Sequence, residues 1–171
     1  MIIGIGGVSR SGKTTLAKSL ESFYSGQRLA IIHQDDYINS AFHMPQIEDQ
    51  LDWEDPESLD YNRLWYDFNW LAFHMDILIV EGLFAFYYPE LNQKYDKRIL
   101  VSINFETFYE RKKKDTRWGK VPDWYIHHIW ESYQKFGRPS NTENFLKIDG
   151  TKVKSNLQVR QYLNIGEKQI T

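Results

Sequence analysis

The sequence predicts an α/β fold in which an open, mostly parallel five-stranded sheet carries helices on both faces. Short, nearly continuous apolar runs recur five times along the 171 residues. Such runs are typical of strands buried on both faces, as in parallel sheets covered by helices. The intervals between them show helical periodicity, and alternating strands and helices predict three layers. A chain of this length is expected to form one domain, residues 1–171.

The five apolar runs are the predicted strands, because each is too short to form a good helix. In open parallel sheets, ligands bind outside the carboxyl ends of the strands, so the residues that follow each run are the first candidates for chemistry. The runs are MIIGI at 1–5, RLAIIH at 28–33, DILIVEG at 76–82, RILVSIN at 98–104 and FLKIDG at 145–150.

Helical segments fill the intervals between these strands. Leu16, Leu20 and Phe23 repeat with helical spacing after a glycine-rich stretch. Residues 56 to about 74 carry the same period and predict one long helix with Asp55 as its N-cap. The other predicted helices are one capped by Asn104, one that begins after Pro122 and one over residues 153–163.

Composition and charge exclude several classes of protein. The chain has no cysteine, which excludes a disulfide scaffold and a thiol nucleophile and favours a cytoplasmic location. Its apolar start is too short for a signal peptide or a membrane-spanning helix, so we expect no membrane partner. A net charge of −2 gives no electrostatic footprint for nucleic acid. The oligomeric state stays open.

The stretch GGVSRSGKTT at residues 6–15 matches the phosphate-binding loop, in which backbone N–H groups and a helix N-terminus surround a phosphate. Lys13 is expected to reach the β- and γ-phosphates, and the Thr14 hydroxyl is expected to hold Mg²⁺. The stretch therefore predicts binding of ATP or GTP. The predicted phosphate-binding residues are Gly7, Ser9, Arg10, Ser11, Gly12, Lys13, Thr14 and Thr15.

Carboxylates follow two predicted strands. Asp35 and Asp36 come after the second strand, where either could act as the base for an acceptor hydroxyl, although adjacent aspartates also commonly begin a polar loop. Glu81 ends the third strand, where it could order Mg²⁺. No Asn-Lys-x-Asp motif for guanine is present, which favours a small phosphotransferase over a GTPase switch.

The cationic segment RKKKDTRWGK at residues 111–120 is a candidate lid over phosphates, extending to about residue 123. Lys113, Lys114 and Arg117 are spaced three and four apart within it. The alternative is that cations simply favour a helix C-terminus. The adjacent histidines at 127 and 128 have no ligand spacing, and we expect them at the surface or in the core.

Taken in order, GIGGVSRSGKTTLAKSL, HQDDY, WEDPESLD, ILIVEG and RKKKDTR resemble the nicotinamide riboside kinases and their relatives, the uridine kinases. The resemblance covers roughly residues 1–152. It implies a P-loop kinase fold and transfer of phosphate from ATP, with Mg²⁺, to the 5′-hydroxyl of a nucleoside. The aspartate pair favours the nicotinamide riboside branch, with nicotinamide mononucleotide as product.

The resemblance also assigns roles to individual residues. Asp35 is the implied base, Lys13 binds the phosphates, and Thr14 and Glu81 serve the Mg²⁺ site. The spacing of the lid cations, rather than the resemblance, makes Arg117 the candidate lid contact to ATP. The implied substrate contacts are Trp53 and Trp118 on the base, Glu54 on the ribose where the family has aspartate, and Lys114 where the family has arginine.

Three alternatives stay open from the sequence. Uridine or cytidine could replace nicotinamide riboside. The acceptor could also be a different small hydroxylated or phosphorylated molecule, because RKKKDTR could receive a substrate phosphate. A nucleotide-binding regulatory module without turnover is motivated by the departures from the family at Glu54 and Lys114. The presence of Lys13, Asp35 and Glu81 favours an enzyme.

Overall fold

A computed structural model describes residues 1–117, 119–152 and 156–165 of the protein, and within these ranges the chain forms one five-stranded sheet and one two-stranded hairpin. The strand order of the sheet is β2-β5-β1-β6-β7, and every pairing in it is parallel. The strands are β1 (Ile2–Gly6), β2 (Leu29–His33), β3 (Gln46–Ile47), β4 (Gln50–Leu51), β5 (Ile77–Gly82), β6 (Lys97–Ser102) and β7 (Phe145–Asp149).

The five strands predicted from apolar runs are confirmed as the five strands of this sheet. Burial explains why these runs are so uniformly apolar: β5 is buried at all six of its positions, as expected for an inner strand covered on both faces. The edge strands β2 and β7 are only partly buried. The hairpin of β3 and β4 was not predicted, because two-residue strands carry no periodic signal.

Six α-helices lie within the described residues: α1 (Lys13–Glu21), α2 (Tyr61–His74), α3 (Pro89–Lys94), α4 (Phe105–Lys113), α5 (Asp123–Ser132) and α6 (Asn156–Tyr162). They create a core on each face of the sheet because alternate strand residues point to opposite sides. One core joins Ile77 and Ile79 to α1 and α6. The other joins Leu78 and Val80 to α2 and α3. The predicted three-layer α/β fold is confirmed.

A third apolar cluster lies beyond the carboxyl end of the sheet. It packs Phe108 of α4 against Ile126 and Ile129 of α5, together with Val8 from the glycine-rich loop and Ile103 after β6. These side chains are almost fully buried. Because Val8 belongs to this cluster, α4 and α5 are packed directly onto the glycine-rich loop.

The helix predicted over residues 56 to about 74 starts later than expected. Asp55 accepts a hydrogen bond from the Glu57 backbone N–H at 2.8 Å, but it caps only a three-residue 3₁₀ turn. Leu59 is extended because it bridges to Ile38 of a neighbouring segment. The long helix then begins at Tyr61, and Asp60 is its N-cap. The prediction of Asp55 as the cap of this helix was therefore wrong.

The other helix ends follow the sequence signals more closely. The Asn104 side chain accepts a hydrogen bond from the Thr107 backbone N–H at 3.0 Å, which confirms it as the cap of α4. The helix predicted after Pro122 is α5. The predicted last helix is described over Asn156–Tyr162, and residues 153–155 lie outside the described ranges. None of the helices in the described part of the chain has the length and apolar character needed to cross a membrane.

Replacing the cap of α2 tests its revised start. The Asp60 side chain accepts from the Arg63 backbone N–H at 3.0 Å, and losing an N-cap of this kind costs about 1 kcal/mol. We expect Asp60→Ala to lower the free energy of unfolding by about that amount in urea denaturation. Asp60→Asn keeps a capping oxygen and should remain close to wild type. Equal losses in both variants would contradict the assignment.

Candidate active site

The candidate site lies at the carboxyl edge of the sheet, where β1, β2 and β5 end side by side. The register pairs Gly6 with Gly82 and His33 with Glu81. Residues 7–12 connect β1 to the first turn of α1. The parallel arrangement thus brings the glycine-rich loop beside the carboxylates that follow the neighbouring strands.

The glycine-rich loop adopts a backbone that only particular residues accept. Gly7 has φ of 151°, Arg10 has 62° and Gly12 has 99°. A Cβ atom at Gly7 would lie 2.3 Å from the backbone oxygen of Val101 in β6. The absence of a side chain at Gly7 is therefore what lets the loop pass against the sheet.

Polar groups of the loop are arranged around its interior. Lys13, the first residue of α1, donates from Nζ to the backbone oxygen of Val8 at 3.2 Å, so its side chain folds back over the loop. Ser11 is fully buried, and its hydroxyl has no hydrogen-bond partner among the described residues. A buried hydroxyl without a partner is costly in a folded protein and fits a loop that encloses a polar ligand.

Thr14 and Glu81 meet at the side of this loop. The Thr14 hydroxyl donates to Oε1 of Glu81 at 2.7 Å, and His33 Nδ1 lies 2.7 Å from the same oxygen. Glu81 is only 5% exposed. Within the described ranges no three His, Cys, Asp or Glu side chains form a metal-binding group. One carboxylate and one hydroxyl nevertheless fit Mg²⁺, which binds through few protein oxygens and the phosphates of its substrate.

The two aspartates after β2 face different neighbours. Both are exposed in the turn Gln34–Asp36. Asp35 interacts electrostatically with Glu54 and Arg117, whereas Asp36 interacts with Tyr37. Of the pair, Asp35 is therefore the one that lies among the other predicted site residues.

Asp115 anchors two of the predicted phosphate-binding cations. Arg117 donates to both of its carboxylate oxygens, from Nε at 2.9 Å and from a terminal nitrogen at 2.8 Å. Arg10 Nε lies 3.7 Å from Asp115. The Arg117 hydrogen bonds hold the pKa of the Asp115 carboxyl well below its usual range, with a further contribution from Arg10. Asp115 thus joins the lid segment to the glycine-rich loop.

Arg111 of α4 makes a second connection to the glycine-rich loop. One terminal nitrogen donates to the backbone oxygen of Arg10 at 3.1 Å, and the other donates to that of Gly150 at 3.0 Å. Sequence reasoning missed both Arg111 and Asp115 as site residues. The sequence offered only a weak signal for them: Arg111 is the first residue of the segment RKKKDTR, and Asp115 is its one acidic residue.

Lys113 and Lys114, two lysines of the candidate lid, form ion pairs with acidic residues that were not predicted as site residues. The Lys114 side chain is 79% exposed and pairs with Glu110 at 3.5 Å on its own helix. Lys113 pairs with Asp123 at 2.6 Å. Lys112 is instead the lysine that interacts with Glu54. Within the described residues, the partner of Lys114 is thus Glu110 and not another predicted site residue. Trp118 lies outside the described residues.

Trp53 and Glu54 lie in a loop that is fixed to α5. The Trp53 side chain is 50% exposed, and its backbone N–H donates to the Tyr125 hydroxyl at 3.3 Å. The Glu54 backbone N–H donates to Asp52 Oδ1 at 3.0 Å. His128 Nε2 lies 2.8 Å from the same oxygen. His128, which we expected at the surface or in the core, is therefore next to the predicted substrate contacts.

The Glu54 carboxyl has an unusual electrostatic environment. Burial raises its pKa from an ordinary 4.5 to about 7. Lys112 and His128 oppose this increase, while the nearby carboxylates of Asp35 and Asp52 add to it. Near neutral pH both the protonated and the ionised forms of this carboxyl are populated, so it can either donate or accept a hydrogen bond.

The raised pKa of Glu54 predicts a pH dependence of stability. The folded state holds the Glu54 proton up to about pH 7, whereas the unfolded chain releases it near 4.5. The contribution of Glu54 to the free energy of unfolding therefore falls as pH rises through this window. We expect Glu54→Gln to remove that fall, so that the variant gains stability relative to wild type at about pH 8 but not at about pH 4.

Urea denaturation at both pH values measures this effect. Exposed Glu57 provides the matched control, because Glu57→Gln leaves the partly buried Glu54 carboxyl in place. An identical pH profile for wild type and Glu54→Gln would contradict the proposed environment.

Comparison with known proteins finds kinases of small molecules. No protein-family model matches the chain. Human nicotinamide riboside kinase 1 is 28% identical over 182 aligned positions, covering 94% of this chain and 89% of that protein. The yeast nicotinamide riboside kinase from Saccharomyces cerevisiae is 24% identical, covering 98% and 87%. The uridine kinase of Chlamydia pneumoniae is 28% identical over 59% of this chain and 57% of its own length.

Solved structures show the same fold. An unliganded sugar kinase from a Janibacter species superimposes with a TM-score of 0.64 at 18% identity, covering 96% of this chain and 95% of that one. A possible uridine kinase from Bacillus stearothermophilus gives a TM-score of 0.53 at 18% identity, covering 87% and 88%. With its glycine-rich loop at the edge of a parallel sheet, the chain has the fold of the P-loop kinases, and its sequence is similar to those of the nicotinamide riboside kinases and uridine kinases.

Proposed function

We propose that the protein transfers the γ-phosphoryl group of ATP to the 5′-hydroxyl of a nucleoside, with nicotinamide riboside as the preferred acceptor and nicotinamide mononucleotide as the product. One juxtaposition supports this reaction most strongly. The exposed carboxylate of Asp35 is near both Arg117 of the lid segment and Glu54 of the loop that precedes α2. A base for the acceptor hydroxyl must lie between the groups that bind the phosphates and those that bind the sugar.

The phosphate side of the reaction uses the glycine-rich loop. Its backbone N–H groups and Lys13 bind the phosphates of ATP, and the buried Ser11 hydroxyl is available inside the loop. Arg10 and Arg117 add positive charge, and Asp115 holds their side chains in place. The remaining loop contacts come from Gly7, Ser9, Gly12, Thr14 and Thr15.

Thr14 and Glu81 would hold Mg²⁺ through their side-chain oxygens. When bound, the ion neutralises negative charge on the phosphates. His33 fixes the orientation of Glu81 by its contact with Oε1. Because the Glu81 carboxylate is buried and held by two neighbours, its position is set before any ligand binds.

The transfer itself requires little more than positioning and one proton acceptor. Asp35 takes the proton of the acceptor hydroxyl as its oxygen forms the new bond to the γ-phosphorus. The bond from phosphorus to the bridging oxygen breaks, and ADP leaves. Lys13 and the two arginines stabilise the charge that develops on the transferred group.

Trp53 and Glu54 bind the acceptor. The exposed face of Trp53 offers a stacking surface for the base, and the Glu54 carboxylate accepts hydrogen bonds from the ribose hydroxyls. Trp118 as the opposite wall and Lys114 as a further contact remain predictions. A cytoplasmic location also remains a prediction.

Uridine or cytidine is the second candidate acceptor. The similarity to the Chlamydia pneumoniae uridine kinase favours it, and the same residues would carry out the same transfer. Acceptor-dependent release of ADP from ATP and Mg²⁺, measured with nicotinamide riboside and uridine side by side, separates the two. We expect faster turnover of nicotinamide riboside. Turnover of uridine alone would make uridine the preferred acceptor, and no turnover of any nucleoside would overturn the proposed function.

Asp35→Asn tests the assignment of the base. The variant keeps the size of the side chain but cannot accept the hydroxyl proton, so we expect turnover to fall by about 100-fold or more. Affinity for ATP should stay nearly unchanged. The neighbouring Asp36→Asn is the matched control and should retain turnover, because Asp36 interacts with Tyr37 instead. Equal activity of the two variants would refute the role of Asp35.

A further inference from the structure

One buried carboxylate outside the catalytic set holds the acceptor loop, residues 52–54, by two bonds to a single oxygen. Asp52 is 7% exposed. Its Oδ1 accepts from the Glu54 backbone N–H at 3.0 Å and lies 2.8 Å from His128 Nε2. Because an ionised carboxylate has only acceptors, Nε2 of His128 is the donor in the second bond. A buried carboxylate with this pairing fixes its surroundings more strongly than an exposed one.

The same loop is attached to α5 at a second point. The Tyr125 hydroxyl accepts from the Trp53 backbone N–H at 3.3 Å. Tyr125 and His128 are three residues apart, so they share one face of α5. The Trp53 N–H is therefore bound to α5 directly, through Tyr125. The Glu54 N–H is bound to the same face of α5 through Asp52 and His128.

The start of α5 lies at the end of the lid segment. Its first residue, Asp123, forms an ion pair with Lys113 at the end of α4. The nine residues between these two elements belong to the candidate lid. The acceptor loop and the lid segment are thus connected to the same helix. The contact of the acceptor loop with this helix joins residues that are 76 positions apart in the chain.

We propose that Asp52 and His128 are positioning residues for the acceptor. Their hydrogen bond sets the direction of the Glu54 backbone, and with it the Glu54 carboxylate and the Trp53 ring, toward Asp35. This inference rests on the proposed function, because it takes Trp53 and Glu54 as the acceptor contacts. The Asp52 carboxylate is bonded to His128 and to the Glu54 backbone N–H, so we expect the pair to act on acceptor binding rather than on ATP binding.

The test compares kinetic constants of variants at this pair. His128→Ala removes the donor, and we expect the KM for the nucleoside to rise about tenfold, the effect of losing one hydrogen bond to a charged group. The KM for ATP should change less than about twofold. His128→Gln places an amide donor near the position of Nε2 and should recover part of the loss.

Two further comparisons distinguish positioning from a general loss of structure. His127→Ala is the matched control, because His127 is exposed on the same helix and its ring faces Phe105 and Tyr109. We expect it to keep the wild-type KM for the nucleoside. Asp52→Ala also removes the bond from the Glu54 backbone N–H, so it should raise the nucleoside KM at least as much as His128→Ala, and the double variant should be no worse than Asp52→Ala. Thermal unfolding identifies a temperature at which all variants are folded.

The outcomes separate the inference from the function on which it rests. If wild type turns over a nucleoside but His128→Ala and Asp52→Ala keep its KM, the positioning role is wrong and the proposed function stands. Equal increases in both KM values would also overturn it.

If wild type turns over no nucleoside, the proposed function fails, and hydrogen exchange at the backbone amides of residues 53 and 54 decides the positioning role. Faster exchange in Asp52→Ala than in His127→Ala supports it, and equal exchange overturns it.

Discussion

The parallel pairing of β2, β5 and β1 is the constraint on which the site depends. Because these strands run in one direction, their carboxyl ends meet at one edge, and the register sets His33 beside Glu81 and Gly6 beside Gly82. The glycine-rich loop leaves this edge and must pass within contact of β6, which is possible because Gly7 has no side chain. A shift of one residue in the register would turn Glu81 to the opposite face of the sheet.

Electrostatics divides the carboxylates of the site into two kinds. Asp115 is buried between arginines, which keep its pKa low and its charge fixed. Glu54 is removed from water with both cations and carboxylates as its charged neighbours, and burial raises its pKa to about 7. The first kind suits a structural anchor for cations, and the second suits a group that exchanges hydrogen bonds with a ligand.

Helix α5 connects parts of the molecule that are distant in sequence. Its apolar face packs with Val8 of the glycine-rich loop in the third core cluster. Tyr125 and His128 bind the loop that carries Trp53 and Glu54. The glycine-rich loop and the loop proposed to bind the acceptor therefore both contact one helix, which is the arrangement that the proposed transfer reaction, dominated by positioning, requires.

The sequence by itself determined the features that depend on neighbouring residues. The five strands, the phosphate-binding loop and the Asn104 cap are local patterns, since each is defined within a few positions of the chain. It also predicted that Lys13 and Thr14 lie near Glu81, because the carboxyl ends of parallel strands meet at one edge of the sheet.

Tertiary structure decided what depends on contacts between distant segments. Leu59 leaves the predicted helix because it pairs with Ile38. Asp52 meets His128 across 76 positions of the chain, and Lys114 pairs with Glu110 of its own helix. Hydrogen bonds and ion pairs of this kind depend on distances of a few ångströms between elements, and no sequence pattern specifies these distances.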